Sequence, residues 1–247
     1  MSSDRIVVVT GAASGIGRGI ARKFVQHGAV VVAADRNKET LGVVAQELGE
    51  RYVPRLCDVT SSEEVATLSD YVRERYPQVD VLVNNAGINR RTTLDKFTDD
   101  DFDFHYQVLI KAPMLMAKHF VPMLKESSDG CIINICSIGA LVEAPHDAND
   151  FLYCTAKAAL AKFTKHLVRA YPGIRSHSIL PGFVETAISK PHLLALAMPR
   201  TPVGRIGRPE DIANLAYFLA SEEAGYINGA EIAVDGGFRL YAPDYGF

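Results

Sequence analysis

The residues with the clearest chemical potential are a tyrosine and a lysine one helical turn apart, Tyr153 and Lys157. If residues 151–170 are helical, the two side chains project from the same face. A free tyrosine has a pKa of about 10 and is a poor base at neutral pH. An ammonium about 5 Å away, at an effective dielectric constant near 20, would lower that pKa by about two. The pair is therefore predicted to perform general acid–base catalysis, although any amphipathic helix can carry this spacing by chance.

A glycine-rich segment near the N-terminus predicts a phosphate-binding turn. The β-branched run 6–9 predicts a strand buried on both faces, and a helical pattern begins soon after it. Between them lie the predicted cofactor contacts Gly11, Ser14, Gly15, Ile16 and Gly17. Glycines let the backbone approach a pyrophosphate, and a helix N-terminus offers unbonded N–H groups and a positive dipole end. A glycine-rich turn without a ligand is the alternative.

An acidic residue follows the second predicted strand and bears on the choice of cofactor. Asp35 lies close to the spacing of about 20 residues at which a carboxylate binds the adenosine ribose. A carboxylate accepts hydrogen bonds from the ribose hydroxyls and repels a 2′-phosphate, so we expect NAD rather than NADP. The neighbouring Arg36 could pair with a phosphate and argues the other way. A capping or loop role for Asp35 is the alternative.

Length and composition exclude several classes of protein. The chain has 247 residues, of which 48% are hydrophobic, and a net charge of −3, so one domain over 1–247 can bury a large core. The absence of a basic block argues against a nucleic-acid partner, and no apolar run reaches the roughly 18 residues of a membrane span. The sequence opens on a strand pattern, so no signal peptide is expected. The four cysteines lack metal-ligand spacing. We therefore expect a cytoplasmic protein without a metal.

Strand-like apolar runs alternate with helical patterns along the whole chain. Strands are predicted near 5–9, 30–34, 52–56, 80–84, 131–135, 175–180 and 231–234. Helices are predicted near 15–27, 38–49, 62–76, 99–125, 151–171 and 209–220. This alternation predicts an α/β fold, a Rossmann-type doubly wound parallel sheet with helices on both faces. The least regular stretch, 182–207, contains three prolines and is predicted to be a substrate-binding lid.

Seven motifs occur along the chain in a fixed order. They are Thr10-Gly11-Ala12-Ala13-Ser14-Gly15-Ile16-Gly17, Asp58 in Cys-Asp-Val-Thr, Asn84-Asn85-Ala86-Gly87, Asn134-Ile135-Cys136-Ser137, Tyr153-x-x-x-Lys157, Pro181-Gly182-x-x-x-Thr186 and Val234-Asp235-Gly236-Gly237. On these motifs the chain resembles a single-domain short-chain dehydrogenase/reductase over essentially its whole length.

The resemblance implies roles for individual residues. Tyr153 would be the general acid/base, Lys157 would lower its pKa and bind the nicotinamide ribose, and Ser137 would donate to the substrate oxygen. The cofactor would also meet Asp58 and Val59 at the adenine, Asn85, Ala86 and Gly87 beside the adenosine ribose, and Pro181, Gly182, Val184 and Thr186 toward the nicotinamide. A homotetramer is implied, with helices 99–125 and 151–171 pairing between subunits.

Two departures from the family pattern affect the predicted site. Leu109 stands where many members carry an asparagine whose backbone carbonyl holds a water of a proton relay to the lysine. A backbone carbonyl survives a side-chain change, so the relay is expected to persist. The connection 138–152 is a few residues longer than usual and contains His146. Candidate substrate contacts are Ser137, Gly139, His146, Phe183 and Leu193. Arg90 and Arg91 could meet a substrate carboxylate, or could simply face solvent.

The sequence therefore favours an NAD-dependent oxidoreductase that interconverts a secondary alcohol and a ketone, with a small molecule as substrate. A 3-oxoacyl-thioester reductase is one alternative, but it would normally use NADPH, which Asp35 disfavours. A nucleotide-binding regulator that has lost catalysis is the other. Only Leu109 supports that second alternative.

Overall fold

A single parallel sheet organises the computed structural model, which describes residues 4–142, 150–186, 189 and 191–241. Its strands are β1 (Ile6–Thr10), β2 (Val30–Asp35), β3 (Tyr52–Leu56), β4 (Val81–Asn84), β5 (Cys131–Ile135), β6 (Arg175–Pro181) and β7 (Glu231–Val234). The spatial order is β3-β2-β1-β4-β5-β6-β7, with every neighbouring pair parallel. The chain reverses its direction of winding between β1 and β4, which is the switch point where such sheets bind ligands.

Helices cover both faces of the sheet in the described chain. They are α1 (Gly15–Gln26), α2 (Lys38–Leu48), α3 (Ser62–Arg75), α4 (Asp99–Tyr106), α5 (Ala112–Leu124), α6 (Phe151–Ala170), α7 (Pro191–Ala197) and α8 (Pro209–Ala220). Side-chain caps explain several starting points. Asn37 accepts from the Thr40 N–H before α2, and Ser61 accepts from the Glu64 N–H before α3.

Two apolar cores lie on the two faces of the sheet. On one face, Phe24 of α1 and Ile212 of α8 pack with the inward side chains of β1 and β2. On the other, Leu68 of α3 and Phe120 of α5 pack with alternate side chains of the same strands. Because both faces are covered, β1, β4 and β5 are buried at every position, which explains their continuous apolar runs.

The predicted strands agree with the observed ones to within one residue at each end, and two other segments differ in detail from their predictions. The helix predicted near 99–125 is interrupted by a π-helical turn at Gln107–Lys111. The stretch 182–207, predicted to be the least regular of the chain, contains α7 and a 3₁₀ turn at Met198–Arg200. Proline usually indicates irregular structure, but Pro191 occupies the first position of α7, where a helix needs no N–H donor.

Neither a membrane span nor a metal cluster is found in the described part of the chain. Every helix there is too short or too polar to cross a bilayer. No three His, Cys, Asp or Glu side chains come close enough there to share a metal ion. Cys57, Cys131 and Cys136 are buried and Cys154 is partly buried. For the first three, this matches the behaviour of cysteine as a small apolar side chain.

Candidate active site

A crevice of about 1120 Å³ runs along the carboxyl ends of the strands. The two ends of the crevice differ in their lining residues. The glycine end is formed by Gly11, the start of α1 at 14–16, Asp35 and Asp58, and the tyrosine end by Ser137, Tyr153 and Lys157. Every predicted site residue that the structure describes lines this crevice, except Gly17. His146 lies outside the described residues.

The glycine end is held together by a short network between β1 and β4. The Thr10 hydroxyl accepts from the backbone N–H groups of Asn85 and Ala86, at 3.0 Å each. The Asn85 side-chain amide donates to the carbonyls of Thr10 and Gly11. Gly11 has φ +63°, and a Cβ there would lie 2.9 Å from the Cα of Ala86. Only glycine fits this close approach.

The N-terminus of α1 opens into the same end of the crevice. The Ser14 side chain makes no capping hydrogen bond in the described structure, and the first turn of α1 contains no acidic residue. Ser14, Gly15 and Ile16 line the crevice, so the first N–H groups and the positive end of the helix dipole face it. A pyrophosphate fits this arrangement of unbonded donors.

Gly17 does not line the crevice, unlike the other glycine-turn residues predicted to contact the cofactor. It is buried inside the turn, where a Cβ would lie 2.0 Å from the carbonyl oxygen of Gly11. Its role in the fold is close packing of α1 against the preceding loop. The glycine spacing alone does not reveal which glycine faces a ligand and which faces the backbone.

The two acidic residues of the glycine end are fixed by the backbone. The Asp35 carboxylate accepts from the N–H groups of Ala13 and Asn37, at 3.1 and 3.0 Å. The Asp58 carboxylate accepts from the N–H and hydroxyl of Thr60. Neither residue caps a helix, because Asn37 and Ser61 do so for α2 and α3. Both acidic residues therefore remain at strand ends beside the crevice.

The tyrosine end brings together side chains from β5 and α6. Tyr153 and Lys157 both face the crevice, as their helical spacing predicts, and Lys157 is only 4% exposed. Its Nζ lies 5.7 Å from the centre of the Tyr153 ring and donates to the Ile135 carbonyl at 2.7 Å. Ser137 follows β5, and its hydroxyl accepts from the Gly139 N–H.

With the protein groups taken alone, the pKa of Tyr153 shifts in the direction opposite to the one predicted from its spacing to Lys157. Burial raises the pKa of Tyr153 to about 12, although its hydrogen bond with Ser137 opposes the rise. Burial also lowers the pKa of Lys157 to about 8. The Coulomb argument from spacing omitted desolvation, which acts on both groups and favours their neutral forms.

Leu109 is fully buried in the π-helical turn beside Tyr153. It packs with Val108 and Ala156, and a Cβ on Gly87 would lie 3.6 Å from its Cδ2. The helix is therefore irregular at this position without an asparagine side chain. The departure replaces a polar group with an apolar contact and leaves the backbone turn in place.

The comparisons with known proteins agree with this geometry. A family model described as enoyl-(acyl carrier protein) reductase matches residues 11–239. The 3-oxoacyl-[acyl-carrier-protein] reductase FabG of Thermotoga maritima is 34% identical over 244 residues, covering 96% of this chain and 98% of the relative. The oxidoreductase UcpA of Escherichia coli is 33% identical over 254 residues, covering 96% and 95%. The chain belongs to the short-chain dehydrogenase/reductase family.

Solved structures of the short-chain dehydrogenase/reductase family share the fold throughout. One, from Brucella melitensis, described as glucose/ribitol dehydrogenase, has a TM-score of 0.89 at 31% identity and covers 95% of this chain and 96% of its own. The aldohexose dehydrogenase of Thermoplasma acidophilum has a TM-score of 0.88 at 30% identity, covering 99% and 97%. The family resemblance and the fold predicted from the sequence are therefore confirmed. Members of this family use NAD(P) and act on small molecules.

Sequence reasoning missed several side chains at the tyrosine end of this short-chain dehydrogenase/reductase. The predicted Gly139, Phe183 and Leu193 do line the crevice there. Missed residues that also line it include Phe104, Gln107, Arg200 and Phe238. They come from segments far apart in the chain, and no motif marks them. Only a fold in three dimensions brings them together.

Proposed function

We propose that this short-chain dehydrogenase/reductase interconverts a secondary alcohol and its ketone with NAD(H), and that Tyr153 is the general acid/base. The observation that carries the proposal is a single crevice with two chemically different ends. One end offers an uncapped helix N-terminus and the fixed carboxylate of Asp35. The other presents Ser137, Tyr153 and the buried Lys157. This combination suits hydride transfer coupled to movement of one proton.

The side chains divide the work at the reacting carbon. A bound nicotinamide would supply the hydride chemistry and, when oxidised, a positive charge near Tyr153 that favours the phenolate. Ser137 holds the substrate oxygen with a hydrogen bond. Tyr153 donates a proton to that oxygen in reduction and removes it in oxidation. Lys157, with a pKa lowered to about 8 by burial, exchanges the proton close to neutral pH.

The preference for NAD over NADP rests on the fixed carboxylate of Asp35. Both of its oxygens accept backbone N–H bonds, so the carboxylate stays at the end of β2, where a 2′-phosphate would be repelled. Arg18, a basic residue near the glycine turn, is engaged with Glu47. Arg36 also lines the crevice and is the remaining cation at this end that could favour NADP.

A 3-oxoacyl-thioester reductase is the second candidate function. Relatives named for that activity, from Thermotoga maritima and Rickettsia felis, are each 34% identical to this chain. Its chemistry is also ketone reduction and would use the same three side chains. The Asp35 carboxylate disfavours it, because that activity would normally draw on NADPH.

The proposal is tested by the Tyr153→Phe variant and a substrate panel. The panel contains secondary alcohols, polyols, hydroxy acids and a 3-oxoacyl thioester, each assayed by NADH or NADPH absorbance. The variant should lose turnover by about 10³-fold, since it lacks the transferable proton. It should bind NADH as the wild type does in a fluorescence titration. Tyr226→Phe, at a fully exposed tyrosine, is the matched control and should change neither.

The outcomes separate the candidates. Turnover that survives in Tyr153→Phe would refute the assigned role. Wild-type activity confined to the thioester with NADPH would favour the second candidate. Nucleotide binding without turnover on any member of the panel would favour a regulator.

A homotetramer is proposed from an apolar strip along α4 and α5. Phe102 stacks on Tyr106 with ring centres 4.3 Å apart, and Met114 is 43% exposed. Ile110 and Leu115 line a shallow groove between them. Burial of this strip against a second subunit would remove the exposed apolar surface from water. Light scattering should give a mass near four chains, and a monomer mass would contradict the proposal.

A further inference from the structure

We propose that the substrate carries an anionic group, a carboxylate or a phosphate, and that arginines at the tyrosine end of the crevice bind it. The inference rests on the proposed function, because it takes the reacting carbon to lie at Tyr153. Beyond that function, it specifies the chemical class of the substrate and a binding site for the group of the substrate that does not react.

The charges that line the crevice are unevenly distributed. Asp35, Asp58 and Arg36 belong to the glycine end, where backbone N–H groups hold both carboxylates. Beyond the glycine end, the described charged residues of the lining, apart from Lys157, are Arg90, Arg91, Arg200 and Asp150. Three guanidinium groups and one carboxylate thus face this part of the crevice. Such a surplus of positive charge favours an anionic ligand.

Arg91 lies close to the reacting residues. Its Nη2 is 4.0 Å from Oδ2 of Asp150, which directly precedes α6. Asp150 is near enough to Tyr153 to raise the tyrosine pKa by its charge. A charge-assisted hydrogen bond is normally about 2.7–2.9 Å long, so this contact leaves the guanidinium able to take a second anion. The Arg91 side chain is 27% exposed and is therefore partly desolvated already.

Arg90 is oriented by its surroundings. Its guanidinium lies over the Phe104 ring, 3.6 Å from the ring centre. The N–H groups lie in the guanidinium plane, so the ring face does not block them. The Arg90 backbone N–H donates to Nε2 of His105, at 3.1 Å. His105 is fully buried, and its Nδ1 donates to the Asp101 carbonyl. The segment that carries both arginines is thus anchored to α4.

Arg200 reaches the crevice from a different segment of the chain. It ends the 3₁₀ turn that follows α7, on the same segment as the crevice-lining Leu193 and Leu194. Arginines on the segment after β4 and on the segment after α7 thus line the same crevice as these apolar side chains, so one anionic substrate could meet both. A fork of planar donors suits the paired oxygens of a carboxylate or a phosphate.

The test compares each hydroxy acid with its neutral methyl ester. The panel contains short 2-, 3- and 4-hydroxy acids, their esters, and glycerol 3-phosphate against glycerol. Kinetics are measured with NAD, and binding in the presence of NAD is measured by calorimetry. The variants are Arg91→Gln and Arg200→Gln. Arg73→Gln, which removes an exposed arginine paired with Asp70 on α3, is the control for net charge.

We expect at least one anionic compound to outperform its neutral partner by about tenfold or more in kcat/KM. Arg91→Gln should lower kcat/KM for that anion by about 10–100-fold, mainly through KM, and should leave the neutral partner within about twofold. Arg200→Gln should act in the same direction, and Arg73→Gln should have no effect. A preference for acids indicates a carboxylate ligand, and a preference for glycerol 3-phosphate indicates a phosphate.

Equal use of acid and ester, or equal losses for both in Arg91→Gln, would overturn the proposal. Calorimetry separates it from the proposed function. If an anion binds more tightly than its neutral partner, and loses that advantage in Arg91→Gln, the anion site stands even where no turnover occurs. If no anion binds better than its neutral partner, the site is refuted whether or not the enzyme is active.

Discussion

The glycine end and the tyrosine end of the crevice are built in different ways. At the glycine end the backbone does most of the work, through the turn at Gly11, the uncapped start of α1 and the N–H groups that hold Asp35. At the tyrosine end, side chains from several separate segments converge, among them Tyr153 and Arg200. The backbone of the glycine end leaves almost no room for a substitution, whereas single side chains of the tyrosine end can be replaced without moving the backbone.

This difference explains what family membership can and cannot predict. A backbone site would fix a dinucleotide in one place, so the cofactor class follows from the fold. A substrate at the tyrosine end would meet side chains on loops, which can vary without disturbing the sheet. For this chain, the arginines at the tyrosine end say more about the substrate than the shared motifs do.

Gly17→Ala should produce the largest effect on stability, because it places a side chain inside the tightly packed turn of the glycine end. The new Cβ would lie 2.0 Å from the Gly11 carbonyl oxygen and 2.4 Å from the Asn85 amide. We expect a loss of about 3 kcal/mol of folding free energy. The displaced turn should also weaken NAD binding by about a hundredfold. Chemical denaturation and calorimetry measure the two effects.

Gly42→Ala is the matched control, since Gly42 also lies inside a helix but has nothing within 4 Å of a new Cβ. It should stabilise the protein by about 0.5–1 kcal/mol through helix propensity. If the two variants behaved alike, the glycine end would be more adaptable than its geometry indicates, and the contrast between the two ends would fail.

Lys157→Met should separate function from stability at the tyrosine end. Turnover should fall by at least about a hundredfold, because proton exchange with Tyr153 is lost. At pH 7 the folded protein must keep a buried cation whose pKa has dropped from 10.5 to about 8. That difference corresponds to about 3 kcal/mol of lost stability. Since the Ile135 carbonyl would lose its donor, a net gain of about 1–2 kcal/mol is expected in the variant.

The sign of this effect depends on pH in a defined way. Below pH 8 both the folded and the unfolded wild type carry the charge, so the burial penalty is complete. Between pH 8 and 10.5 the folded protein releases the proton first, and the penalty shrinks until it vanishes above that range. The advantage of Lys157→Met in thermal unfolding should therefore vanish within this range, and above pH 10.5 the variant should be the less stable protein because the Ile135 carbonyl still lacks its donor. Lys162→Met, on the exposed face of the same helix, is the matched control for the loss of a lysine from α6.

The sequence predicts the sheet well for a physical reason. Strands buried on both faces must be continuously apolar, so runs such as 131–135 are distinct from the amphipathic helices beside them. The positions of Gly11, Asp35 and Ser137 follow from this, because each stands where a strand ends. Their places along the crevice could be predicted before any coordinates were known.

The remaining features depend on contacts between distant segments. The π-helical turn around Leu109 and the first turn of α7 at Pro191 have no reliable sequence signal. The pKa of Tyr153 depends on how deeply the folded chain buries it, so spacing to Lys157 alone gave the wrong direction. Arg200 lies more than a hundred residues from Arg91, and only the folded crevice relates them.

Among the substitutions inside the crevice region, Leu109→Asn should have the smallest effect on turnover. The π-helical turn is already formed with leucine, and the wild type and the variant have the same backbone carbonyl at this position. We therefore expect kcat to stay within about threefold of the wild type, which is less than about 1 kcal/mol in the barrier. The protein should lose about 2 kcal/mol of stability, because a fully buried apolar contact is removed.

Leu109→Ala separates packing from polarity, since it removes the same contact without adding an amide. Equal stability losses and unchanged turnover in both variants would show that this position serves packing alone. A gain of several orders of magnitude in Leu109→Asn only would mean that the amide restores a missing part of the proton path. The native chain would then be a weakened enzyme, and the tyrosine end would have lost function while the glycine end kept it.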